Sequence, residues 1–155
     1  LGLAEGALAQ ARHYTLHEAR VWHRSSAAQA SKDPYTLRHY GEFHVALEGV
    51  RLLARHAAQQ FDLAWQRGAT LTAAERGQVA VAVATAKVAS TRAGLDVAAR
   101  LFETTGARAT HGALRLDRFW RNLRVQTLHD PVDYKLQELG DWALNGEAPA
   151  PSFYS

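Results

Sequence analysis

Three groups of side chains in this 155-residue sequence have the types and spacing that do chemistry. The densest is RFWRNLRVQTLHDP, Arg118 to Pro131, which sets three arginines, a tryptophan and an asparagine on one helical stretch and stops it at His-Asp-Pro. A histidine at such a helix end could donate a hydrogen bond or carry a proton near neutral pH. The same residues also fit a structural part, with Asp130 as a turn residue and His129 as a C-terminal cap facing the helix dipole. The second group is TTGARATHGA, Thr104 to Ala113, a glycine-containing connection between helices. Backbone amides and the planar guanidinium of Arg108 could hold a phosphate there; the plain alternative is a helix stop with a solvated arginine. The third is His13 with His17, where two imidazoles four apart could share a metal. No acidic partner completes a ligand set, so no metal is expected. His23, His39, His44, His56 and His111 form no constellation and read as surface or satisfied core positions.

Composition bounds what such groups can serve. Eighteen Lys and Arg against fifteen Asp and Glu leave a formal charge of only +3, which argues against nucleic acid as the main partner despite a pI near 9.5. The absence of cysteine excludes disulfides and thiolate metal sites and fits a cytoplasmic setting. No apolar run approaches the roughly 20 residues that span a bilayer, so a soluble protein without a membrane partner is expected. The opening LGLAEGALAQA lacks a methionine and begins inside a helical pattern without a capping residue. The expectation is a chain whose N-terminal part has been removed.

The elements that must position the three groups are all helical. Leu1 to about Arg20 reads as a helix on Leu3, Ala7, Ala11, Tyr14 and Ala19. VWHRSSAAQASKD is a connector, after which Asp33 caps Pro34 and opens a helix to about Gln66, closed at Gly68. Its expected buried stripe is Tyr40, Phe43, Leu47, Val50, Ala54, Ala57, Phe61 and Trp65. Thr72 with Glu75 forms a capping box for a third helix that runs to about Thr104 and stops at Gly106. Along it Val81, Val88, Leu95 and Phe102 recur every seven residues, with Ala84, Thr91 and Ala98 between them. A fourth helix is expected from about Arg115 to Leu128, with Leu116, Trp120, Leu123 and Thr127 facing the bundle and Asn122, Val125 and His129 on another face. A fifth spans about Val132 to Leu144, followed by the proline-rich, extended EAPAPSFYS. The fold class is all-α: an up-down four-helix bundle of long antiparallel helices with a short C-terminal helix and an extended tail, forming one domain over residues 1–155.

LFETTGARAT, LDRFWRNLRVQTLHDPVDYK and the closing GDWALNGEAPAPSFYS resemble the C-terminal helical domain of reduced-flavin-dependent monooxygenases built on the acyl-CoA dehydrogenase fold. The resemblance covers nearly the whole chain and rests chiefly on the DRFWRN and TLHDP blocks. It implies that N-terminal helical and central β domains precede this one in the parent enzyme. It also implies a homotetramer, a dimer of dimers, with flavin lying where this domain meets the β domain and a neighbouring subunit. Arg20 and Arg108 match positions that would hold the flavin phosphate, and His129 matches a histidine beside the reactive flavin edge, so His129 and Arg108 would converge on one cofactor-sized hollow. The implied activity is that of a two-component monooxygenase, taking FMNH2 from a separate flavin reductase and oxygenating a small organosulfur or related apolar substrate through a C4a-(hydro)peroxyflavin. Relatives commonly carry His-Thr-Leu-His where this chain has Gln126 ahead of His129, which argues against a two-histidine mechanism and for a substrate other than the sulfur heterocycle.

Two alternatives stand beside that one. An acyl-CoA dehydrogenase would use FAD and acyl-CoA, with its base either Asp130, which the resemblance places at the position of a catalytic glutamate, or a residue outside this chain. An aspartate is one methylene shorter, and misplacing a base by about 1 Å costs on the order of a hundredfold in rate. ETTGARA also replaces the glutamine and paired glycines that such enzymes use around the adenine half of FAD, which favours FMN. The other alternative is a stand-alone helical oligomerisation module.

Overall fold

A computed structural model describes residues 1–153; Tyr154 and Ser155, the end of the expected tail, lie outside the described residues. Among those described there are five α-helices and no strand: α1 (Gly2–His17), α2 (Pro34–Arg67), α3 (Ala73–Thr105), α4 (Asp117–His129) and α5 (Val132–Asn145). None of these helices is long and apolar enough to cross a membrane. The helical class and the order of elements follow the sequence reading.

Local chemistry sets the boundaries. Asp33 accepts hydrogen bonds from the Tyr35 and Thr36 amides at 3.0 and 3.1 Å, and Pro34, which needs no amide partner, takes the first helical position. The Thr72 hydroxyl accepts from the Glu75 amide while the Glu75 carboxylate accepts from the Thr72 amide, closing a capping box at the start of α3. α2 and α3, of 34 and 33 residues, are each about 50 Å long and form the most extensive helix pair. α3 is the central element, since α1, α2, α4 and α5 all pack on it.

The core explains how five helices share one. Ala4, Ala7 and Ala11 are fully buried along α1, and so small a face lets larger neighbours come close. A Cβ added to Gly6 would stand 3.3 Å from Phe119 Cε1, and one added to Gly94 would stand 3.2 Å from Leu123 Cδ2. Phe43, Val97 and Leu101 fill the space on the α2 and α3 side. A buried polar knot crosses these layers. Thr15 Oγ1 lies 2.9 Å from Tyr40 Oη and donates to the Ala11 carbonyl at 2.9 Å, with the Thr104 carbonyl 3.3 Å away.

Four details depart from the sequence reading. On α4, Phe119 takes the buried place expected of Trp120; it is 8% exposed, whereas Trp120 is 42% exposed beneath the Arg124 guanidinium. Phe61 and Trp65, placed on the buried stripe of α2, are exposed, on a face of α2 that the described residues leave uncovered. On α3 the intervening Ala84, Thr91 and Ala98 are buried, while of the heptad residues only Val88 is; Val81, Leu95 and Phe102 lie at the margin. α1 ends at His17, one turn early, so Arg20 stands in the connector and not on a helix.

At the opposite end of α3 from its junction with α1, the tail returns to the bundle. Arg76 Nη1 donates to the Pro149 carbonyl at 3.3 Å, and Pro149 is buried. Gly77 is buried beneath Ala148, where an added Cβ would approach the Ala148 Cβ to 2.5 Å.

Candidate functional site

A cleft of about 840 Å³ opens where the connector after α1 and the start of α2 meet the end of α3. Gly106 ends α3 with φ 79° and ψ 173°, a region only glycine enters without strain, and donates its amide to the Phe102 carbonyl at 2.8 Å. The chain then turns through a 3-10 segment, Ala107–Thr110, which sets Arg108 at the cleft wall. On the other wall the connector is folded on itself. Ser25 donates to Asp33 at 2.5 Å and to the carbonyl of Trp22, through its amide, at 2.8 Å, so the stretch bearing Arg20, Trp22 and Arg24 is tied to the cap of α2.

Charge is the feature that decides what this cleft takes. Arg20, Arg24 and Arg108 all line it, and among the described residues none of the three guanidiniums has an ion-pair or hydrogen-bond partner. Elsewhere the arginines are commonly paired, as Arg38 and Arg100 are with Glu42, Arg51 with Glu5, and Arg121 with Asp117. Two of the cleft's carboxylates are already committed. The Ser25 hydroxyl and the α2 amides hold Asp33 below its ordinary pKa, and Glu103 lies 3.1 Å from His39 Nδ1 and 3.5 Å from Arg100. Glu18 is the one cleft carboxylate without a partner among the described residues. Three free guanidiniums against one free carboxylate give the cleft an excess of positive charge, a lining whose chemistry favours an anion such as a phosphate. Trp22 and Tyr35, both exposed and both lining the cleft, add flat apolar surface.

The structure therefore brings Arg20 and Arg108 together and leaves His129 apart. His129 is the exposed last residue of α4 and does not line the cleft. α4 begins near Arg108 and rises about 18 Å over its 13 residues, so within one chain the two groups stand at its opposite ends. Next to His129, Asp130 forms an ion pair with Lys87 of α3. The rings of His13 and His17 lie 4.6 Å apart, tilted by 51°, on an exposed face of α1, and no third ligand-type side chain joins them among the described residues.

Sequence reasoning missed Arg24, the His39–Glu103 contact and Lys87. Arg24 had a usable signal, since it follows Arg20 by four residues in the same connector. Lys87 had none, because its partner lies 43 residues away and nothing in the local pattern of α3 marks it.

Comparison with known proteins converges on one family. Residues 1–134 match the family model described as acyl-CoA dehydrogenase, C-terminal domain. Over all 155 residues the chain is 66% identical to a probable FMNH2-dependent monooxygenase of Pseudomonas putida and 49% identical to a dibenzothiophene monooxygenase of Mycolicibacterium goodii, covering 39% and 37% of their lengths. Among solved structures it is similar to methanesulfinate monooxygenase of Pseudomonas fluorescens, with a TM-score of 0.97 at 64% identity over 99% of this chain and 40% of that one. It is also similar to FMN-bound TdsC of Paenibacillus sp. A11-2, with a TM-score of 0.95 at 43% identity over 99% of this chain and 38% of that one. The chain thus spans about two fifths of the length of the relatives it matches. With the helical order and the family match in agreement, the chain belongs to the acyl-CoA dehydrogenase C-terminal domain family.

Proposed function

We propose that this chain is the C-terminal flavin-binding and assembly domain of an FMNH2-dependent two-component monooxygenase acting on a small organosulfur or related apolar substrate. The observation that carries the reading is the set of partnerless guanidiniums, Arg20 and Arg108 with Arg24 beside them, on one cleft. Such a donor set fits the phosphate of FMN, and the names of the relatives, together with an FMN-bound solved structure, support the same cofactor. When bound, the reduced flavin supplies the oxidation chemistry with O2, and the protein supplies orientation, hydrogen bonds and exclusion of water.

In this reading Arg20 and Arg108 grip the phosphate as planar forks, and Arg24 raises the local positive potential. Trp22 and Tyr35 give the ligand an apolar wall. His129 holds or moves a proton beside the reacting edge, presented to the cleft of a neighbouring subunit in a homotetramer. Exposed Val45, Leu52, Leu63, Val125 and Leu144 offer apolar area for that assembly and for N-terminal helical and β domains of a longer chain. A separate reductase in the cytoplasm delivers FMNH2. The acyl-CoA dehydrogenase alternative loses ground because Asp130, its candidate base, is committed to Lys87.

The test is oxygenation by the full-length protein carrying this domain, given FMNH2, O2 and a panel of small sulfides, sulfinates and sulfonates. Oxygenated product without acyl-CoA turnover is expected. Dye reduction by an acyl-CoA with copurifying FAD, and no oxygenated product, would replace this reading with the dehydrogenase.

A further inference from the structure

We infer that Lys87 is a positioning residue, whose ammonium reaches from α3 to Asp130, fixes the end of α4 and so sets where His129 stands. The chemical role of His129 rests on the proposed function; the clamp on the helix end does not.

The case begins with how the helices stop. α2, α3 and α5 each end on a glycine with positive φ, at Gly68, Gly106 and Gly146, whose amides donate back to the carbonyls of Trp65, Phe102 and Trp142. α4 has no such closure among the described residues. It ends on Asp130, at φ −132° and ψ 100°, because Pro131 has no amide to continue the helix and forces the preceding residue into extended backbone. A terminus without a closing hydrogen bond leaves its last carbonyls open and frays readily.

Lys87 compensates from outside the helix. Its ammonium pairs with Asp130 Oδ2, and the two side chains are 26% and 17% exposed, so the pair is screened less than a surface one. A cation at a helix C-terminus is also favoured by the helix dipole. The placement says what the pair is for. The body of α4 is already attached by buried Leu116, Phe119, Leu123 and Thr127. The clamp acts beyond Thr127, on the end of the last turn, and His129 is the ionisable side chain that this turn carries.

The experiment uses the full-length protein with Lys87→Met, Asp130→Asn, and the charge swap Lys87→Glu with Asp130→Lys. Each single variant should raise amide exchange across residues 126–133 by about tenfold or more, since exchange reads local opening directly. Each should also lower kcat by about tenfold while KM for FMNH2 stays within about twofold, the pattern of a misplaced group and not of lost ground-state binding. The swap should recover most of both, and Lys87→Met should cost little further in a His129→Ala background, because groups acting through one another are not additive.

Exchange and kcat unchanged in Lys87→Met would overturn the proposal, as would a full additional loss in the His129→Ala background. If Lys87→Met does not fold, Asp130→Asn and the swap decide in its place. If the unmodified protein oxygenates nothing, the functional reading falls, and the exchange measurements still decide the clamp by themselves.

Discussion

The two ends of α4 treat charge in opposite ways. Near its start, the cleft leaves Arg20, Arg24 and Arg108 without partners and relies on Gly106 for a tight backbone turn. At its finish, the Asp130 carboxylate is claimed by Lys87, and a proline does the work that glycine does at the ends of α2, α3 and α5. Unpaired charges gathered on one cleft are open to a ligand of opposite sign, whereas a paired, half-buried charge holds geometry. On the proposed reading, the first end binds and the second positions.

The comparison can be broken most sharply at the binding end. Arg20→Ala with Arg108→Ala in the full-length protein should weaken FMN affinity by about 3 to 6 kcal/mol, taking each charged hydrogen bond at about 1.5 to 3 kcal/mol. Isothermal titration with FMN reads this directly, and an affinity within about threefold of the unmodified protein would remove both residues from the site. Between the two ends, Phe119→Ala should cost about 3 to 5 kcal/mol of stability, since Phe119 is 8% exposed against Gly6, while Trp120→Ala should cost under about 1 kcal/mol. Equal losses in urea unfolding would mean that the two aromatic faces have been assigned the wrong way round.

Gly106→Ala should destabilise by about 1 to 3 kcal/mol because φ 79° with ψ 173° admits no side chain without strain, and it should weaken FMN binding by moving Arg108. A variant with native melting temperature and native affinity would show the turn to be permissive. Thr72→Ala, remote from both ends, sets the scale of an ordinary cap at about 0.5 to 2 kcal/mol.

The mildest effect is on pH. Asp33 is held below its ordinary pKa chiefly by Ser25, Glu42 by Arg100, and Glu75 by the Thr72 amide. A carboxylate whose folded pKa is depressed stabilises the fold above its unfolded value, about 4, and that contribution is lost as pH falls through the folded value. Unfolding midpoints should therefore stay level through neutral pH and drop below about pH 4 to 5, less steeply in Asp33→Asn. A flat acid profile would show these contacts to be energetically idle.

How much of this was legible beforehand depends on distance along the chain. The caps at Asp33 and at Thr72 with Glu75 are local motifs, and the helices start where those motifs place them. The glycine stops at 68 and 106 were equally plain. Burial was less legible because periodicity names a face without naming what covers it. Trp120 and Phe119 are adjacent, and the choice of Phe119 follows from the hollow that Gly6 leaves on α1, more than a hundred residues earlier. Phe61 and Trp65 fit an apolar stripe that the neighbouring helices do not reach. In the cleft, Arg108 could be suspected from its glycine turn, but its meeting with Arg20 is a product of the fold, and Arg20 came from family resemblance alone.

Gly77 has a consequence for the order in which the protein is made. Its vacancy on α3 is filled by Ala148, and the neighbouring Arg76 grips Pro149 across 73 residues of sequence. During synthesis from the N-terminus, α3 and its notch are finished long before the segment that seats there has been added. That part of the bundle stays open through the making of two further helices, and the stretch after α5 closes it.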